Sequence, residues 1–292
     1  MTRLTVGGLA VMALFVLGAC TEPGEPTTTT GTPATTTAGP VPATSAPGTT
    51  GPSGTARALP VYYVVDTAVG PRLYREFHSV STADPASDAV REMLARQTGI
   101  DPDYRSHWPA GTELHSPVLH ADGVITVDLS GEARSAQVGS ELAEQTVQQL
   151  VYTVQGALQS TDPVRILVDG APVAELWGHV ATDQPIRRAD QYAVRSLVQI
   201  DNPAHGAQVG RTFTVSGEAA VFEANVLWDV LRDGAVISSG HTTAEEGQRF
   251  SAYRFSLTLE PGEYTVRVTE DDPSGGVGRQ PFQDTKVVRV VG

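Results

Sequence analysis

Residues 108–130 read WPAGTELHSPVLHADGVITVDLS. Two short runs, one closing at His120 and one opening at Val124, flank the triplet Ala121-Asp122-Gly123. An Asp-Gly pair in that setting favours a tight hairpin, because both central positions of the turn need a positive φ. The stretch therefore predicts two antiparallel strands and places a sheet at the centre of the first folded region. Upstream, LPVYYVVD (59–66) is a β-branched and aromatic run bounded by Pro60 and Asp66. In GPRLYREFHSV (70–80), Leu73, Arg75 and Phe77 alternate with Tyr74, Glu76 and His78; both segments predict strands. The period then changes. In DPASDAVREMLARQTG (84–99), Ala89, Val90, Met93 and Leu94 make one helical face, Asp84 or Ser87 caps the start, and Gly99 stops the helix. Downstream, Leu142, Val147, Leu150, Val151, Val154 and Leu158 mark an amphipathic helix over Ser140–Leu158, and VRILVDG (164–170) predicts the last strand. The order is ββαββαβ, an α+β domain over 59–188 with its helices on one side of a β-sheet.

A short polar hinge is expected at 189–196, and a different pattern follows it. LVQIDNP, RTFTVSGEA, FEANVLWDVLRDG, AVISSG, FSAYRFSLTL, GEYTVRVTE and TKVVRVV read as about seven strands separated by Pro, Gly, Asn or Asp turns. Tyr264 follows a Pro-Gly turn at the start of a strand, as a tyrosine corner does. An all-β immunoglobulin-like sandwich over 197–292 is the natural closure.

The amino terminus gives different instructions. The apolar run from Leu4 to Ala19 is about 16 residues, short of the roughly 20 a spanning helix needs. Arg3, the apolar core and the small residues Gly18 and Ala19 instead outline a signal peptide over 1–19. Leu17-Gly18-Ala19-Cys20 resembles the bacterial lipobox, which implies cleavage before Cys20 and lipidation of its thiol, with palmitate-type acyl chains holding the protein at the membrane. Cys20 is the only cysteine in 292 residues, so intrachain disulfides and Cys-rich zinc sites are excluded. Residues 20–58, nearly all Thr, Pro, Gly, Ala and Ser, carry no apolar periodicity and read as a disordered tether. Such a tether reaches roughly 35 Å as a coil and about 120 Å when stretched.

Charge narrows the partners. The chain carries a formal −13, and losing Arg3 with the signal leaves 19 basic against 33 acidic residues, about −14. Nucleic acid is therefore not expected as a partner, because affinity for its backbone rests on Lys and Arg.

Two ordered sets of residues carry family resemblances. Pro109-Ala110-Gly111-Thr112, the hairpin from Asp122-Gly123 to Asp128-Leu129-Ser130, GSELAEQTVQQLVYTV and Val168-Asp169-Gly170 together resemble the GerMN domain of bacterial sporulation and germination lipoproteins. Pro203, Gly206, Val215, Gly217, FEANV (222–226) and GEYTVRVTEDDPSGG resemble the immunoglobulin-like Gmad domain of spore-germination proteins. The first resemblance implies an extracytoplasmic module of protein assemblies without an accepted catalytic constellation. One such domain is present here, where some members carry a tandem pair.

The residues themselves offer little chemistry. No GxSxG elbow, Ser-x-x-Lys, HExxH or phosphate-cradling Gly-rich loop occurs, and the lone lysine, Lys286, lies in a strand-like run. His115 and His120 fall on opposite sides of one strand. Glu270, Asp271 and Asp272 group on a turn but lack EF-hand spacing, so a solvated acidic loop is the better reading. Asp128, Asp169 and Glu175 adjoin strand ends, where carboxylates cap turns. Trp108 and Trp177 are the candidate partner-binding residues, as exposed platforms for a sugar or protein, against a reading as partly buried lids. Phe222, in a Phe-Glu pair, is expected to be a strand-forming core residue. No catalytic residue, metal or cofactor is assigned. The sequence thus predicts a lipid-anchored, non-catalytic protein on the extracytoplasmic face of the cell membrane. Its partner is an envelope protein or a cell-wall component, the alternative being a peptidoglycan- or glycan-binding lipoprotein. A sporulation or germination role follows from the resemblance.

Overall fold

Residues 55–292, apart from Pro273 and Gly276, are described by a computed structural model. The predicted signal, Cys20 and the tether up to residue 54 lie outside the described residues. Strands β1 (Thr55–Thr67) and β2 (Gly70–Thr82) form a long antiparallel hairpin, so the first strand starts four residues ahead of position 59 because β2 is long enough to pair with Thr55–Ala58. Helix α1 (Pro85–Leu94) follows, with the Asp84 side chain accepting a hydrogen bond from Ser87 N and proline in its first turn.

The 108–130 stretch forms β3 (Leu114–Ala121) and β4 (Val124–Leu129). Asp122 and Gly123 turn the chain with φ of 53° and 71°, the left-handed pair an Asp-Gly hairpin requires. Helix α2 (Ser140–Leu158) carries the chain from β4 to β5 (Val164–Val168), which lies parallel to β4. The short strands β6 (Ala171–Pro172), β7 (Glu175–Leu176) and β8 (Val180–Ala181) complete the module. Its core joins Val61 and Tyr63 of β1, Val90 and Met93 of α1, Leu150 and Val154 of α2, and Val127 and Ile166 of the sheet. The expected ββαββαβ order is therefore present, with both helices packed on β1.

Segment 189–196 carries the short helix α3 (Gln191–Val194) and is tied on both sides. Ser196 N donates to Leu73 O, and the buried Arg195 pairs with Glu218 at 2.7 Å.

The second module has eight strands: β9 (Val198–Asn202), β10 (Ala207–Val209), β11 (Thr212–Ala219), β12 (Asn225–Arg232), β13 (Ala235–Thr243), β14 (Ser251–Thr258), β15 (Gly262–Glu270) and β16 (Gln283–Val290). They divide into a five-stranded sheet, β10-β16-β15-β12-β13, and a three-stranded sheet, β14-β11-β9. Val226, Val230, Val266, Val268 and Val288 of one sheet meet Val198, Val215 and Tyr253 of the other. The tyrosine corner is formed, with Tyr264 Oη donating to Glu260 O at 3.0 Å. Gly217 permits the close approach of β9 and β11, since a Cβ there would lie 1.9 Å from Gln199 O. Among the described residues no helix is long and apolar enough to cross a membrane.

Candidate functional site

Both modules belong to one compact unit, and the seam between them buries the charged residues Glu76, Asp101, Arg195, Asp284 and Lys286. On the first module, β2 presents Glu76, whose carboxylate accepts the backbone N–H groups of Ile100 and Asp101 at 2.9 and 2.7 Å. That fixes the loop after α1 and points Asp101 at the second module. On β16 the inward positions of the strand alternation are Asp284, Lys286, Val288 and Val290. Lys286 Nζ lies 2.7 Å from Asp101 Oδ2 and 3.4 Å from Asp284 Oδ1, and 3.9 Å over the Tyr104 ring. Asp284 Oδ2 accepts hydrogen bonds from Tyr104 Oη at 2.9 Å and Ile200 N at 2.7 Å. Lys286 is 2% exposed and Asp101 1%, so each charge depends on the other for solvation.

Burial opposes the Lys286 charge, but the Asp284 and Asp101 carboxylates outweigh it and hold the ammonium pKa up. Two carboxylates share that one ammonium. Burial therefore leaves Asp284 above the ordinary carboxylate range, although Lys286 pulls it down. A second cluster flanks the first. Arg75 bridges Asp201 at 2.6 Å and Glu218 at 3.2 Å, and Arg195 reaches Glu218. Tyr74 Oη donates to Gln283 O across the seam.

His78 extends the network outward, with Nδ1 2.9 Å from Glu92 and Nε2 3.2 Å from Glu76. Burial lowers its pKa, the two carboxylates outweigh burial, and the value ends above 6.5. A folded pKa above the unfolded one contributes stability in full below pH 6.5, and that contribution is lost as pH rises through the folded value. The melting temperature of the protein is expected to fall between about pH 6 and about pH 8 by more than that of His78→Gln. Equal slopes in the two proteins would remove His78 from the account.

Beside the seam runs a cleft of about 540 Å³, bounded by the β1–β2 turn and residues 103–107 on one side and by residues 280–285 on the other. It has no nucleophile activated by a base. Among the described residues no group of three or more His, Cys, Asp and Glu could hold a metal.

The sequence model of the Germane family, described as sporulation and spore germination, matches residues 60–174. That of Gmad2, an immunoglobulin-like domain of bacterial spore germination, matches residues 197–277. The chain joins a Germane domain to a Gmad2 domain. It is thereby associated with sporulation and spore germination. Comparison with curated proteins gives no match. Among solved structures, the tandem GerMN domains of the sporulation protein GerM from Bacillus subtilis are 18% identical, with a TM-score of 0.39 over 52% of this chain and 51% of that one. The chain thus spans about half of that protein. A candidate lipoprotein from Clostridium perfringens is 19% identical, with a TM-score of 0.32 over 48% of this chain and 93% of that one. At these TM-scores the likenesses bear on neither fold nor function.

Within the Germane module the two tryptophans lie edge to face, ring centres 5.2 Å apart. Trp108 is 1% exposed, while the half-buried Trp177 donates from Nε1 to Ala133 O at 2.7 Å. The expectation of an exposed platform is corrected for Trp108: its ring fills the core beneath Trp177. Asp128 Oδ1 accepts from Gly170 N at 2.9 Å, so this carboxylate caps the Asp169-Gly170 turn as expected. His115 is exposed, and His120 meets Asp162 at 2.7 Å.

In the Gmad2 module Glu270 pairs with Arg279, and Asp271 accepts from Asn225. Phe222 requires a correction as well. It was expected in the core of a strand, yet it is 42% exposed in a 3₁₀ turn. Glu223 and Ala224 follow it with φ of 50° and 60°, and this left-handed pair turns the chain before β12 begins. Neither the seam nor the cleft was anticipated as a site. The available signal was Asp284 and Lys286 two apart, sharing the alternation of Val288 and Val290.

Proposed function

We propose that this Germane–Gmad2 protein is a lipid-anchored, non-catalytic component of the cell envelope. It binds protein partners on the extracytoplasmic face of the membrane, in an assembly serving sporulation or germination. The observation that carries this reading is the pairing of two germination-family domains on one chain, fastened by a buried seam. Two such modules held in fixed relation offer a rigid composite surface, which suits a scaffold better than a catalyst. The lipobox at Cys20 and the Thr- and Pro-rich, tether-like stretch after it support the anchoring. The wall-binding alternative loses support, because the buried Trp108 offers no flat ring to a glycan.

Photoactivated crosslinking in native membranes, followed by identification of the products, tests the reading. Reproducible recovery of one membrane or envelope protein is expected; recovery of neither an envelope protein nor a membrane protein would defeat it. Anchoring has its own test. Cys20→Ala is expected to abolish lipidation, leaving the protein either uncleaved or released, and globomycin-type inhibition is expected to accumulate precursor in the parent strain. A Cys20→Ala protein still processed and membrane-bound would disprove the anchor.

A further inference from the structure

We propose that the cleft between the Germane and Gmad2 modules binds a short peptide that carries a free carboxylate and more than one cationic amine. Its volume of about 540 Å³ falls within the roughly 300–1,000 Å³ of small-ligand pockets, which concentrate at domain interfaces. Both modules build it, with the buried Val64, Tyr104 and Phe282 supplying apolar floor.

The decisive contrast is in the pairing of charges. Along the seam Lys286, Arg75 and Arg195 each have a carboxylate partner. In the adjoining cleft the exposed Asp66, Asp103 and Arg105 and the half-buried His107 line the walls, open to a ligand from solvent, and none of their side chains makes a hydrogen bond or ion pair with a described residue. Two carboxylates suit ammonium groups, and a guanidinium grips a carboxylate through two parallel hydrogen bonds. Burial lowers the His107 pKa against the pull of Asp66, so this ring faces a ligand neutral, with one donor and one acceptor. With the lining Asp284 already held by Lys286, Asp66, Asp103 and Arg105 sum to one negative charge, which a ligand of net charge +1 would balance. A nucleotide or other polyanion meets two carboxylates there, and a wholly apolar ligand would strand all four polar groups.

The backbone favours a peptide over a free amino acid. One edge of β1 pairs with Arg105 at Val64, and past that bridge Val65–Thr67 have no strand partner on that side among the described residues and line the cleft. An extended peptide laid there gains main-chain hydrogen bonds. The site depends on neither the lipid anchor nor the envelope partners proposed above, so its failure would leave both untouched.

The probe is the dipeptide Lys-Ala, with net charge +1, titrated calorimetrically into the full chain in detergent micelles. Saturable binding is expected. Arg105→Ala should weaken it by at least about tenfold and erase any preference for the free acid over the C-terminal amide. Asp66→Asn with Asp103→Asn should weaken it similarly and erase the preference over the N-acetylated form. In the unmutated protein, peptide should also shift the His107 ring resonances, a readout independent of the variants. Absence of saturation at the highest soluble peptide concentration, or equal affinity of the unmutated protein for the acid and its amide, overturns the proposal.

Discussion

Lys286→Ala is expected to lower the unfolding free energy by about 3–5 kcal/mol, the usual consequence of removing one partner from a buried ion pair. The loss comes less from the missing attraction than from what stays behind. Asp101 and Asp284 would remain almost wholly out of water with no ammonium to balance them. Three hydrogen bonds still hold Asp284, but none brings a positive charge. The deficit should also depend on pH with a definite sign. Without Lys286, which pulls it down, the folded pKa of Asp284 rises further above its unfolded value, so the folded state takes up protons more readily than the unfolded chain as pH falls. The gap between variant and parent is therefore expected to narrow from about pH 8 towards about pH 5. Urea unfolding at both pH values measures it. A change below about 1 kcal/mol, or a gap that widens in acid, would contradict the buried pair described here.

Trp108→Ala is the second large effect, expected at about 3–5 kcal/mol. The indole is fully enclosed, lies against Trp177 and joins the cluster that includes Tyr104 and Met93. Truncating it opens a cavity that the β-hairpin and helices cannot close without moving. Trp177→Ala should cost less, because that ring is only half-buried, although it also gives up its hydrogen bond to Ala133 O. The pair of variants separates packing from recognition. If Trp108→Ala lost wall-polymer retention, the loss would have to be read against its unfolding curve, whereas a Trp108→Ala protein as stable as its parent would show that the core is drawn wrongly.

Local signals predicted much of this fold. The Asp122-Gly123 turn, the face of α2 and the alternation in β15 each depend on neighbours within a few residues, and each appears where its pattern places it. Failures occur where distant chain decides. Strand β10 is only Ala207–Val209 and pairs in parallel with the far end of the module, so no local alternation announces it. Phe222 reads as a core strand residue until Glu223 and Ala224 adopt left-handed backbone, which neither residue type advertises. The seam was least legible. Asp101 sits in a loop and Lys286 in a strand 185 residues further on, and only their meeting in space makes a lone lysine structural.

That lysine has a practical consequence. A chain with one lysine offers reagents for primary amines a single side chain, and the fold encloses it at the junction of the two modules. Succinimide esters should therefore leave Lys286 unmodified while the modules stay docked, and acylate it whenever they part. The rate of that one modification, followed by mass spectrometry, is a built-in clock for how often the junction opens.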